Sequence, residues 1–252
     1  MKMKVKSIAF LMALAAIPAF GDPAVTSENT FGVLKVSCAA KKVIIATPWV
    51  ECGSADSSVK ITNLVMTAGL SDGDAVLVYD TVQKRFKSWI ISGGIWSSTP
   101  VVSGVGTVDT GDAAHEAIAR GQAFWFIKSD YTSGNYDLYL YGQDTSATAT
   151  STIAGGTSTT PTYSLVASPK ATSADLNSAT FSVPASTADE IQVPNPGAPV
   201  TKYTYKSGQG WGTTQTVVDN GNSVRKWQLG CTIPAGRGFW YVSKSATRTI
   251  TW

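Results

Sequence analysis

The sequence IARGQAFW at residues 118–125 recurs 115 positions later as IPAGRGFW at residues 233–240. Around it, residues 74–128 align without gaps onto residues 189–243, with identical amino acids at 13 of the 55 positions. The identities are concentrated in Trp, Gly and Phe, which fill cores or allow tight turns. We therefore predict two copies of one module, each about 100 residues long and within the usual size of a domain.

Strand-prone segments separated by Gly, Pro, Asn and Asp run through both copies. Turn residues recur about every 8–12 positions, which is typical of sandwiches and barrels built from short strands. Charged residues make up only 15% of the chain. We expect an all-β protein of two tandem antiparallel modules, sandwich or barrel-like, related by internal duplication. The predicted strands cover residues 43–46, 59–66, 75–79, 86–92, 124–128, 136–141, 164–167, 201–206, 224–229, 239–242 and 247–252.

Residues 1–21 have the pattern of a secretory signal peptide. Three lysines precede a short apolar run, and small residues stand before a cut at Asp22. We expect export to the medium or the outer cell surface of a bacterium, with the periplasm as an alternative. Residues 22–252 carry 17 basic and 17 acidic residues. This balance disfavours nucleic acid as a partner and favours self-association, and no transmembrane segment is expected in the mature chain.

Composition divides the mature chain into three parts. Residues 22–143 are expected to form the first β module and residues 163–252 the second. Residues 144–162 are mostly Ser, Thr, Ala and Gly, and such a composition cannot bury a core, so a flexible linker is predicted. The tail at residues 249–252 allows two interpretations: the last strand of its own module, or a strand donated to a neighbouring chain.

Three cysteines are present, and an exported protein can form disulfides. Cys38 and Cys52 both precede the repeated segment, and in the second copy Thr159 and Ser173 replace them together. Joint replacement is what a bonded pair would show. The sequence therefore predicts a Cys38–Cys52 disulfide and leaves Cys231 unpaired.

The aromatic residues fall into two groups. Those that recur in both copies are expected in the repeated core, because both modules must fill the same interior. These repeat-core aromatics are Trp96, Phe124, Trp125, Trp211, Phe239 and Trp240. Tryptophans without a Trp partner in the other copy are candidates for an exposed platform on which a sugar ring could stack. These are Trp49, Trp89 and Trp227.

The sequence carries no recognisable catalytic constellation, and we predict no enzyme activity, no cofactor and no metal site. The single His has no evident nucleophile or second base beside it. No Gly-x-Ser-x-Gly elbow occurs.

The approaches to Pro48 and Pro169, the Gly-x-x-Phe-Trp strands and the tail at 249–252 resemble an uncharacterised family of exported tandem-repeat β proteins of Verrucomicrobia and related bacteria. The resemblance implies export and a repeated β fold, and it brings no activity with it. We expect a non-catalytic structural or adhesive protein of the cell surface or of an extracellular assembly. The alternative is a carbohydrate-binding protein that uses exposed aromatics. The expected partners are further copies of the chain or surface glycans.

Overall fold

The computed structural model describes residues 30–47, 58–61, 65–66, 70–80, 85–98, 117–144, 149–178, 185–195, 198–220 and 222–252. The elements within these ranges are β-strands, as expected for an all-β protein. The first half (residues 22–148) contains β1 (Thr30–Cys38), β2 (Lys42–Ala46), β3 (Ser58–Lys60), β4 (Val65–Met66), β5 (Ala75–Asp80), β6 (Arg85–Ser92), β7 (Ile95–Ser98), β8 (Ala117–Ala119), β9 (Ala123–Ile127) and β10 (Tyr136–Asp144). The second half (residues 149–252) contains β11 (Thr150–Ile153), β12 (Thr162–Ala167), β13 (Ala174–Asp175), β14 (Glu190–Asn195), β15 (Ala198–Lys206), β16 (Gly210–Asp219), β17 (Asn222–Leu229), β18 (Thr232–Ile233), β19 (Gly238–Ser243) and β20 (Arg248–Thr251).

The first half is built on a five-stranded antiparallel sheet with the order β2-β9-β5-β6-β7. A three-stranded sheet, β1-β10-β4, and the β3-β8 pair supply the other side of its core. Side chains alternate between the two faces of a strand, so every second residue of the large sheet enters this core. Its buried members are Val36, Cys38, Val43, Ile45, Ile61, Val76, Val78, Trp89, Ile118, Phe124, Phe126, Leu138 and Leu140.

The second half is built on a six-stranded sheet with the order β12-β19-β14-β15-β16-β17. The β11-β20 and β13-β18 pairs supply the other side of a second core. The first five strands of this sheet hold the positions that β2, β9, β5, β6 and β7 hold in the first sheet, and β17 is added at the edge. The second core contains Ala149, Ile153, Val166, Ala174, Leu176, Ile191, Val193, Trp211, Cys231, Ile233, Phe239, Tyr241, Ile250 and Trp252.

The two halves meet through reciprocal contacts. Ala46 N donates to Gly236 O at 3.0 Å, and Ala167 N donates to Gly121 O at 3.0 Å. A third apolar cluster lies at this junction and contains Ile44, Ala46, Ala123, Leu165 and Ala167, with Tyr79, Trp125 and Trp240 packed against it. The halves are therefore joined by both hydrogen bonds and apolar packing.

The predicted Ser/Thr-rich linker is wrong where the structure describes it. Residues 150–153 form β11, which pairs with β20, and Ile153 is fully buried. Gly155 and Gly156 then pass so close to the backbone of Thr247 and Ser243 that a Cβ on either would clash. Composition misleads here because Thr and Ser pair well in strands, and one Ile is enough to anchor a strand of four residues.

The C-terminal tail completes a sheet of its own chain. β20 pairs along its length with β11, and Trp252 N donates to Ala149 O at 3.0 Å. Ile250 is fully buried, and Trp252 Nε1 donates to Ser151 Oγ at 2.9 Å. The structure therefore agrees with the first interpretation of the tail, in which it is the last strand of its own module.

The large sheets are open in the described part of the chain, with β2 and β7 at the edges of one and β12 and β17 at the edges of the other. Within the same ranges, no helix is long and apolar enough to cross a membrane.

Candidate functional site

The repeat-core aromatics divide between the two faces of their sheets. Phe124 and Phe239 are fully buried in the two cores, Trp211 lies in the second core, and Trp96 packs against the first. Their neighbours in sequence, Trp125 and Trp240, point the other way and pack at the junction of the halves. Side chains alternate between the two faces of a strand, so Trp125 and Trp240 cannot lie on the same face as Phe124 and Phe239. The expectation that Trp125 and Trp240 lie in the repeated core is therefore wrong.

The proposed aromatic platform does not form. Trp89 is 0% exposed and lies in the first core, because it faces inward from β6, so its assignment as a ligand platform is wrong. Trp227 is half-buried: its ring lies against Gly212, and Lys206 Nζ lies 4.1 Å from its centroid. Trp49 lies outside the described residues. No pair of open aromatic faces is therefore available among the described members of this set.

Asp74 is a buried carboxylate that holds a loop of the first half in place. Its oxygens accept hydrogen bonds from Ser129 N and Lys128 Nζ, both at 2.8 Å, and from Ser71 N at 2.9 Å. Lys128 also pairs with Asp130 at 2.9 Å. A carboxylate with its lone pairs engaged by its own chain acts as a structural group.

Asp189 holds the corresponding position in the second half, at the start of β14. It accepts hydrogen bonds from Tyr241 Oη and Ser186 N at 3.0 Å and from Lys244 N at 2.8 Å. Arg248 lies 3.7 Å away. Burial and the adjacent Asp189 carboxylate raise the pKa of the Tyr241 hydroxyl above its ordinary value. Tyr241 therefore stays protonated and acts as a hydrogen-bond donor.

The cysteines are core residues. Cys38 carries a free thiol and is fully buried in the first core, so the predicted bridge to Cys52 is not formed in the structure; Cys52 itself lies outside the described residues. Burial raises the pKa of the Cys38 thiol to about 11, and burial also raises the pKa of Cys231. The predicted bridge is not formed because Cys38 points inward from β1, where it serves as a small apolar side chain.

A small cleft opens beside the junction of the halves. Its volume is about 200 Å³, and its walls carry Tyr79, Arg120, Gln122, Thr150 and Thr152. Arg120 donates to Pro169 O at 3.3 Å. At this volume the cleft is smaller than the roughly 300–1,000 Å³ usual for small-molecule sites.

Among the described residues, the two most exposed large apolar side chains, Val218 and Leu229, lie on the outer face of the β16–β17 hairpin, the face opposite the buried Trp211. Register pairs Val218 with Ser223, Thr216 with Arg225, Thr214 with Trp227 and Gly212 with Leu229, so all these residues share one face. Val218 is 75% exposed and Leu229 is 59% exposed. We call the set Val218, Arg225, Trp227 and Leu229, with Lys206 beside it, the hairpin face.

β17 is also the free edge of its sheet, pairing only with β16 in the described part of the chain. An edge strand presents a row of backbone N–H and C=O groups to any neighbouring strand. Arg225 and Lys226 are exposed on this edge, and Lys226 pairs with Asp219 at 2.6 Å.

Sequence reasoning missed this surface, although a signal was present. Asn220-Gly221 stands between two strand-prone runs, and Asn-Gly is the strongest short signal for a hairpin turn. Asn220 has a φ of 49°, as such a turn requires. The exposure of Val218 and Leu229 could not be foreseen, because it depends on β17 being the last strand of the sheet.

Among the described residues, no group of three or more His, Cys, Asp or Glu is arranged to hold a metal ion. Comparison with protein-family models, with curated proteins and with solved structures gives no match to the chain.

Proposed function

We propose that the chain is an exported structural or adhesive protein of the cell surface or of an extracellular assembly. The observation that carries the proposal is the hairpin face, where Val218 and Leu229 are exposed beside the free edge of β17. Val218 lies at the turn end of this face and Leu229 at its other end, and the free backbone groups of an edge strand such as β17 can pair with a neighbouring strand. Arginine, present on this face as the exposed Arg225, is enriched among the residues that contribute most to such contacts.

The same proposal includes an internal duplication of one sandwich-like module. Three observations support it: the shared order of five strands in the two large sheets, the matching positions of Asp74 and Asp189, and the reciprocal hydrogen bonds between the halves. Tandem β modules of this kind serve as rigid spacers, since each half has its own core and the junction is packed.

The buried acids favour a structural role over catalysis. Asp74 and Asp189 each accept hydrogen bonds from at least two backbone N–H groups or side chains of their own half. A general acid or base needs a carboxyl group that can reach a substrate. These two carboxylates are 0% exposed.

Carbohydrate binding, the alternative expected from the sequence, has less support than surface contact. It depended on exposed aromatic rings, yet Trp89 is buried in a core and Trp227 is covered by Gly212 and Lys206. The cleft near Tyr79 offers polar groups, but it is small and lacks an open aromatic face.

The proposal predicts where the protein is found in the cell. We expect the chain in the extracellular or outer-surface fraction, with an N-terminus at Asp22, because residues 1–21 have the three parts of a signal peptide. Fractionation followed by intact-mass measurement checks this.

The matched control is Leu11→Asp, which places a charge in the apolar run and should hold the chain inside the cell. Recovery of the unaltered chain with residues 1–21 still attached, together with cytoplasmic markers, would contradict export.

A further inference from the structure

The outer face of the large sheet in the second half carries exposed cations. Tyr203 and Tyr205 of β15 pack against the second core, so alternation places Lys202 and Lys206 on the opposite, outer face. Arg225 of β17 lies on the same outer face. Lys202 and Arg225 are exposed, and Lys206 is half-buried. We call Lys202, Lys206 and Arg225 the basic face.

The acidic groups near the basic face are already engaged. Glu190 Oε1 lies 2.7 Å from Lys244 Nζ, and Glu190 Oε2 accepts a hydrogen bond from Gln192 at 3.3 Å. Hydrogen bonding to Lys244 lowers the pKa of Glu190. Asp219 pairs with Lys226 at 2.6 Å, and alternation along β17 points Lys226 away from the basic face. In the described part of the chain, these acids therefore form their ion pairs with other lysines and leave the basic face positive.

The corresponding face of the first half has a different character. In the alignment of the two copies, Ala75 and Leu77 stand where the second copy has Glu190 and Gln192. Ala75 and Leu77 are each 3% exposed and belong to an apolar cluster. The fold of the module therefore does not require a polar outer face with cations, and the second half has one where the first half is apolar.

We propose that the basic face binds an acidic polysaccharide, a polymer whose sugar rings carry carboxylate groups. The inference rests on the proposed adhesive function and names its partner. Lysine and arginine bind carboxylates through charge-assisted hydrogen bonds, and arginine can do so with two parallel N–H groups. Thr214 and Thr216 are exposed on β16, between the strands that carry the cations, and their hydroxyl groups can bond to sugar hydroxyls.

The spacing of the cations suits an extended polymer. Lys202 and Lys206 stand four residues apart on β15, which corresponds to about 13 Å along a strand. Arg225 lies two strands away, or about 10 Å across the sheet. A single small anion cannot contact all three side chains at these separations, whereas charges repeated along a chain can. This recognition by charge needs no open aromatic ring, which agrees with the position of Lys206 over Trp227.

An anionic membrane fits the basic face less well. Clusters that bind anionic lipids usually contain about four to eight Lys or Arg side chains, more than the basic face has. Binding at a bilayer interface also buries a continuous apolar face. Val218 and Leu229 lie at opposite ends of the hairpin face and do not form one.

Calorimetric titration of residues 22–252 with polygalacturonate, a polymer of carboxylate-bearing sugars, tests the inference. We expect binding at about 10 mM salt that is several-fold weaker at about 0.15 M, because the Debye length falls from about 30 Å to about 8 Å. Dextran, an uncharged polysaccharide, should not bind. The variant Lys202→Gln/Arg225→Gln should weaken binding about tenfold or more, since two charge-assisted contacts are lost.

The control is Lys41→Gln/Lys42→Gln. It makes the same change in net charge at two exposed lysines of the first half, and it should bind polygalacturonate as tightly as the unaltered chain does. Circular dichroism and urea unfolding check that both variants keep the fold, which substitutions of exposed side chains rarely disturb.

Four results would overturn the inference. The first is no binding of polygalacturonate in low salt, and the second is equal binding of dextran. The third is equal weakening in the two double variants, which would make net charge responsible. The fourth is binding to vesicles of phosphatidylglycerol and phosphatidylcholine without binding to polygalacturonate. Export and assembly are measured separately, by cell fractionation and by particle size in microscopy, so failure of this inference is distinguishable from failure of the proposed function.

Discussion

Replacing Asp189 by alanine is expected to lower the free energy of unfolding by about 3–5 kcal/mol, the range for removing one partner from a buried ionic network. The carboxylate is 0% exposed and accepts hydrogen bonds from Tyr241 Oη, Ser186 N and Lys244 N. Its removal takes this acceptor away from the buried Tyr241 hydroxyl and the Lys244 amide, and it takes the nearby opposite charge away from Arg248. Urea denaturation measures the change.

Asp219→Ala is the matched control. It removes a carboxylate of the same half that pairs with Lys226 at 2.6 Å on the surface. Exposed pairs contribute little to stability because water and salt screen them, so this variant should unfold at nearly the urea concentration of the unaltered chain. Equal midpoints for Asp189→Ala and Asp219→Ala would show that the network around Asp189 is not a stabilising element.

The second large effect is expected at Gly238, which lies against side chains of the first half. A Cβ at this position would lie 2.5 Å from both Ala123 Cβ and Ile44 Cγ2. Gly238→Ala therefore overpacks the junction and should destabilise the protein by about 1–3 kcal/mol, the usual range for a methyl group forced into a packed site. Thermal or urea unfolding gives the value.

The junction contact can be tested further with a compensating change. Ala123→Gly removes the methyl group that faces Gly238, so the double variant should be more stable than the sum of the single effects predicts. If the two changes in the free energy of unfolding are strictly additive, Ala123 and Gly238 do not touch in solution. That result would contradict the close packing of the two halves at this junction.

The fold class could be predicted because strand-prone runs and turn residues are local signals. Each segment expected to be a strand overlaps at least one strand of the structure, from residues 43–46 within β2 to residues 247–252 around β20. Eight strands lie outside the predicted segments. β8, β13 and β18 have only two or three residues, which carry too little pattern, but β1, β7, β11, β14 and β16, with four to ten residues, were missed as well. Their pairing depends on neighbours distant in sequence.

The face on which each aromatic lies could not be predicted. Phe124 and Trp125 are both large and apolar. The alternation of polar and apolar residues that usually indicates which face of a strand is exposed is therefore absent here. The structure places Phe124 in a core and Trp125 at the junction, because a second half covers the outer face. Trp89 was misassigned for a related reason: the absence of a Trp partner in the other copy says nothing about burial.

The candidate site depends on sheet order, which no local pattern determines. Val218 and Leu229 are exposed because β17 has no further strand beside it in the described part of the chain.

Negative-stain electron microscopy of residues 22–252 in low salt tests the assembly role most directly. The proposed function predicts that particles associate into open strings or closed rings as the protein concentration rises. Single particles at every concentration and salt level would contradict the account.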